Sequence, residues 1–117
     1  MQQVLTLCAV PGALAADTLA TAARLLAEAD ARVGDPRWLA RDEAADIPFE
    51  ADRPADALAR VRDGLETVAV DVNGGPADGR RKRLLIADMD STIIIGESLD
   101  ELAEFAGIRD QIAAITA

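Results

Sequence analysis

The 117-residue chain has no histidine, no tyrosine and a single cysteine, Cys8. These absences exclude a good deal of chemistry. Without histidine there is no Cys/His zinc set and no His-based nucleophilic triad, and a lone cysteine closes no internal disulfide. Cys8 reads as a core thiol on a strand. The aromatics are Trp38, Phe49 and Phe105, too few for an aromatic-rich sandwich. Half of the residues are apolar, chiefly Ala, Leu, Val and Ile, which suits helices packed on a sheet, so the expected class is α/β or α+β. Cations are scarce, 12 Lys and Arg against 21 Asp and Glu, for a net charge of −9. That balance argues against a nucleic-acid surface, because phosphate contacts need clustered cations. No stretch approaches the roughly 18 apolar residues of a membrane span. The early apolar run lacks a preceding Lys or Arg and is interrupted by Pro11 and Gly12, unlike an export signal. The expectation is a cytoplasmic protein.

What is present spells a small module and then a new element. Gln3–Val10 reads as a strand closed by Pro11-Gly12, and Leu14–Ala29 as a helix with Leu19, Ala22, Ala23 and Leu26 on one face. Arg32–Ala45 reads as irregular, with Trp38 pinning it by packing. Ile47-Pro48-Phe49 reads as a short edge strand. Pro54 opens a second helix carrying Leu58, Val61 and Leu65. Thr67–Val72 alternates as a strand ended by Asn73-Gly74-Gly75-Pro76. The pattern forces no charged residue inward. Residues 1–75 therefore form one α+β module, 76–82 a Gly-, Pro- and Arg-rich linker, and 83–117 the start of something else. The run Arg80-Arg81-Lys82-Arg83 reads as a solvated flank ahead of an aggregation-prone strand.

Chemistry concentrates at Leu84-Leu85-Ile86-Ala87-Asp88-Met89-Asp90-Ser91-Thr92. The apolar residues have the length and flanks of a buried parallel strand, and open α/β sheets carry their chemistry at the carboxyl ends of such strands. Two carboxylates at i and i+2 beyond the strand end can face one crevice and divide labour. Asp88 would attack phosphorus and Asp90 would act as acid and then base. Amides of the following turn, with the Ser91 and Thr92 hydroxyls, would cradle phosphoryl oxygens. Magnesium takes about six oxygen ligands, so an Asp88 carboxylate and an Asp90 carbonyl are an incomplete set. Ser98-Leu99-Asp100-Glu101 has the form of a capping box, Leu99, Leu102, Ala103 and Ala106 give its helix an apolar face, Gly107 suits the helix end, and Ile108, Ile112 and Ile115 begin another apolar face.

A bare D-x-D is weak, but Arg81–Thr92 followed by Glu97 and Leu99–Gly107 closely resembles the bacterial phosphoserine phosphatases, a family of the haloacid dehalogenase superfamily. The resemblance covers residues 80–117. It implies a magnesium-dependent hydrolase that releases L-serine and phosphate from O-phospho-L-serine, the last step of serine biosynthesis. Carried over by position, Asp88 is nucleophile and magnesium ligand, Asp90 is acid/base and metal ligand, and Glu97 binds the substrate amino group. Residues 1–75 look like the ACT-like segment of longer bacterial members. The remainder then holds the first strand and helices of an incomplete haloacid dehalogenase-like, Rossmannoid domain. The expectation is that this chain alone does not turn over substrate. The competing expectation is a non-catalytic module that binds an amino acid, or forms a homodimer through a sheet edge, with a vestigial tail. A nucleotide-using transferase finds no glycine-rich phosphate loop in its support.

Overall fold

The computed structural model describes residues 1–108, 110, 111 and 114. Ile112 and Ile115 lie outside them. The chain divides into two units, Met1–Arg81 and Lys82–Ala117.

In the first unit the elements run β1 (Gln3–Cys8), α1 (Ala16–Glu28), β2 (Arg32–Val33), β3 (Arg37–Ala40), β4 (Ala44–Glu50), α2 (Pro54–Gly64) and β5 (Asp71–Pro76). The sheet order is β2-β4-β1-β5, with β3 also on β4, and its pairs are antiparallel. Each helix thus links two strands that another strand separates. β4 lies between β1 and β2, and β1 lies between β4 and β5, which makes two interleaved split β-α-β units of the ferredoxin-like kind. Alternate residues of β1 and β4 face the helices. Leu5 and Leu7 of β1 and Ala45, Ile47 and Phe49 of β4 are buried with Leu19, Ala22, Leu25 and Leu26 of α1 and Ala57, Leu58 and Val61 of α2. Both helices therefore cover one face of the sheet. α1 ends in a Schellman motif with Asp30 at φ 58° as its left-handed residue, Ala31 N–H donating to Leu26 and Asp30 N–H to Ala27.

Three sequence expectations are corrected here. The Arg32–Ala45 segment is not irregular but forms β2 and β3, and Trp38 sits on β3, partly buried against the core with Arg41 5.3 Å from its ring centroid. Ile47-Pro48-Phe49 is not an edge but the middle of β4, which has neighbours on both sides. A proline is tolerated there because β2 ends and β3 begins opposite it. Gly34 N–H donates to the Pro48 carbonyl at 2.8 Å, and in an antiparallel strand a residue's nitrogen faces the same neighbour as its carbonyl. The missing N–H thus points at the break between β2 and β3. Finally, the last strand is Asp71–Pro76 rather than Thr67–Val72. Turn bonds from Val68 N–H to Leu65 and from Val70 N–H to Val68 engage the expected strand, and pairing with β1 sets Val72 opposite Leu7 and Gly74 opposite Leu5. Gly74 leaves room for the Leu58 methyls, which a Cβ there would force to shift. Pro76 is acceptable because β5 is an edge.

In the second unit the strand expected at Leu84–Ala87 does not form. These residues take no regular structure, and Leu84, Leu85 and Ile86 are 75%, 86% and 85% exposed. A strand persists only where a neighbour completes its hydrogen bonds, and among the described residues none pairs with this run. The buried position expected for it, with Asp88 at a sheet edge, is therefore not observed. α3 (Ser98–Phe105) ends as expected at Gly107, which has φ 70°. Ile108 N–H donates to Ala103 and Gly107 N–H to Glu104, a second Schellman motif.

Candidate functional site

The segment between Asp88 and α3 is a tight knot of backbone and side-chain bonds. The Met89 carbonyl accepts the amides of Thr92, Ile93 and Ile94 at 3.3, 3.0 and 3.1 Å. Ser91, at φ 52°, donates its own amide to Gly96 at 3.1 Å. The amides expected to cradle phosphoryl oxygens are thus engaged by carbonyls of the turn itself, since backbone donors take the nearest acceptors.

The four polar side chains around this knot pair off. Asp90, half-buried, accepts from Ser98 twice: Oδ1 takes the Ser98 hydroxyl at 2.6 Å and Oδ2 the Ser98 amide at 3.2 Å. Ser91 Oγ donates to Glu97 Oε1 at 2.6 Å, so its hydroxyl serves Glu97 and not the phosphoryl cradle expected of it. Asp88 is exposed and accepts the Met89 amide on Oδ1 at 3.0 Å. The structure therefore pairs Asp90 with Ser98 and Ser91 with Glu97, and bonds Asp88 to its neighbour.

The capping box is also corrected. Glu97 occupies the N-cap position of α3 with no side-chain cap bond of its own, and the Asp90 carboxylate, eight residues earlier, takes the Ser98 amide. A carboxylate at a helix N-terminus answers both its free N–H groups and its dipole. Ser98 was legible as a helix-start residue. Its bond to Asp90 was not, because it depends on the fold of the intervening turn.

The oxygens of Asp88 and Asp90 have the hardness that magnesium prefers. Their number falls short of a site, and among the described residues no three acidic or Cys side chains cluster to hold a metal ion.

A second polar cluster lies in the first unit, against the expectation that no charge turns inward. Asp46 of β4 has a side chain only 4% exposed. Arg80 donates to its Oδ2 and, at 2.8 Å, to Thr6 Oγ1, while Thr6 donates to Asp46 Oδ1 at 2.8 Å and Arg37 stands 3.6 Å away. Burial pushes the Asp46 carboxyl up, but the Arg80 and Thr6 bonds and the Arg80 and Arg37 charges outweigh it and hold the group below the usual carboxylate range. The bond to Asp46 in turn raises Arg80. Arg80, exposed like the rest of the run Arg80–Arg83, is therefore tied by its ion pair to the sheet's uncovered face. Val4, Arg37, Leu39, Pro48 and Arg80 line a cavity of about 650 Å³ there.

No family model matches the chain. Over 64 residues, 53% of this chain, it is 38% identical to a phosphoserine phosphatase of Archaeoglobus fulgidus. Over 36 residues, 31% of the chain, it is 53% identical to a probable phosphoserine phosphatase of Schizosaccharomyces pombe. The matches span 19% and 12% of those relatives' lengths. A HAD family hydrolase from Salmonella enterica serovar Typhi shares the fold at TM-score 0.56 and 22% identity, over 97% of this chain and 39% of that one. The chain thus resembles phosphoserine phosphatases over part of their length.

Proposed function

We propose that this chain carries the nucleophile segment of a phosphoserine phosphatase. The observation that carries the proposal is the 53% identity to a probable phosphoserine phosphatase over 36 residues, taken with the D-x-D-S-T sequence at Asp88–Thr92. In this reading the Asp88 carboxylate attacks the phosphorus of O-phospho-L-serine and the bond to the seryl oxygen breaks, leaving an aspartyl-phosphate. Asp90 gives its proton to that seryl oxygen, then removes one from the water that attacks phosphorus and frees Asp88. Glu97 receives the substrate ammonium. Asp88 and the Asp90 carbonyl would be this chain's share of a magnesium site, and a bound ion would supply charge neutralisation for the phosphoryl oxygens.

The 117 residues alone are proposed to be inactive, since the described residues bring neither a third carboxylate nor a cation to Asp88. The first unit is assigned as an ACT-like module on its interleaved split β-α-β order, and a free thiol with a phosphorylated metabolite as substrate goes with a cytoplasmic setting. The test is phosphate release from O-phospho-L-serine with magnesium, using the product of the whole open reading frame. D88N is expected to abolish release and D90N to slow it about 10²- to 10⁴-fold. Release that survives D88N undiminished would overturn the proposal.

The uncovered sheet face favours a second reading. Its cavity combines apolar side chains with guanidinium groups, as a module that binds a small amino acid would require. In that case isothermal titration would show amino-acid binding by residues 1–81 without any phosphate release, and a dimer would form through the exposed β5 edge.

A further inference from the structure

We infer that Ser98 is a positioning residue for Asp90, an assignment that rests on the phosphatase reading above. A carboxylate that must first donate and then accept a proton at one substrate atom needs a fixed direction as well as the right chemistry. Two torsions leave an Asp side chain free to turn, and a single hydrogen bond would leave rotation about it. Here both oxygens are held by one residue, Oδ1 by the Ser98 hydroxyl at 2.6 Å and Oδ2 by the Ser98 amide at 3.2 Å. The two donors belong to the first residue of α3, so the carboxylate plane follows the helix and not the exposed turn that bears Asp90.

The neighbouring bond makes the assignment specific. Ser91 holds Glu97 at 2.6 Å, and Glu97 immediately precedes Ser98. The acid/base is thus held at the helix start by Ser98, and the amino-group binder, one residue before Ser98, is held from the turn by Ser91. Loosening Ser98 should disturb the chemical step and spare binding, whereas loosening Glu97 should do the reverse. A role in stability alone would move both or neither.

The experiment compares S98A, S98T and E97Q in the product of the whole open reading frame, with circular dichroism confirming each fold. S98A is expected to lower kcat about 10- to 100-fold with KM for O-phospho-L-serine within twofold. S98T, which keeps the hydroxyl, should recover kcat to within threefold, and E97Q should raise KM. Should S98A fail to fold, S98C keeps the shape with a weaker donor and should give an intermediate kcat at unchanged KM. A kcat within threefold of the parent in S98A or S98C, or a KM that rises as in E97Q, overturns the assignment while D88N-sensitive release leaves the phosphatase reading standing. Release indifferent to D88N overturns both.

Discussion

Asp46 shows how a single charge can be kept inside a small sheet. Its carboxylate is answered by Thr6, Arg37 and Arg80 from three separate stretches of chain, so removing Arg80 leaves a buried charge with only the Thr6 bond and the more distant Arg37. R80A should cost about 1–3 kcal/mol, the usual penalty for an unsatisfied buried group, read as a lower urea midpoint. The pH dependence follows from the depressed acidity. A carboxyl held below its unfolded value of about 3.9 contributes stability that is fully present above that value and is lost as pH falls through the folded one. The parent should therefore lose stability in urea titrations as pH falls below about 4, and D46N should start lower at pH 6 and fall less. Such a residue was hard to read locally. Ala45, Ile47 and Phe49 turn toward the helices, which puts Asp46 on the opposite face, where a charge would ordinarily meet water. Arg80, 34 positions away, is what covers the carboxylate there, together with Thr6 and Arg37. Asp88, Asp90 and Glu97 were legible for another reason: their spacing and flanks form a motif, although the bonds that join Asp90 to Ser98 and Ser91 to Glu97 had to come from the folded turn.

At the level of elements, helices were easier to anticipate than strands. α1 and α2 declare themselves through apolar spacing within one turn of each residue, and their buried faces agree with Leu19, Ala22, Leu26, Leu58 and Val61. Pro48 and Gly74-Gly75 look like breakers in isolation. Their places in β4 and β5 are decided by partners distant in sequence, the gap between β2 and β3 in one case and Leu58 in the other. The two glycines provide a test. G74A drives a Cβ into Leu58 and should destabilise the first unit by about 1–3 kcal/mol. G75A meets nothing within 4 Å and should stay within about 0.5 kcal/mol of the parent. Equal urea midpoints for the two variants would contradict the observed register of β5.

Across the whole molecule, apolar side chains are distributed unevenly. The continuous core of the first unit runs from Leu5 to Leu65, whereas the second leaves Leu85, Ile86, Ile95 and Phe105 almost fully open. Exposed apolar area of this kind promotes association. The 117-residue chain should bind the dye ANS and sediment with a concentration-dependent mass, and a chain cut after Arg81 should do neither while still unfolding cooperatively. Persistent dye binding by the shorter chain would contradict that division. The position of Arg80 carries one more consequence. Trypsin must draw an Arg or Lys side chain into its own pocket, and Arg80 is already held by Asp46 and Thr6, whereas Arg81 and Arg83 project into solvent. Limited digestion should nick the basic run after Arg81 or beyond and stop short of Arg80. The product would keep its sheet clasped at its new terminus, so the native architecture of the first unit would itself protect the peptide bond on which its last ion pair depends.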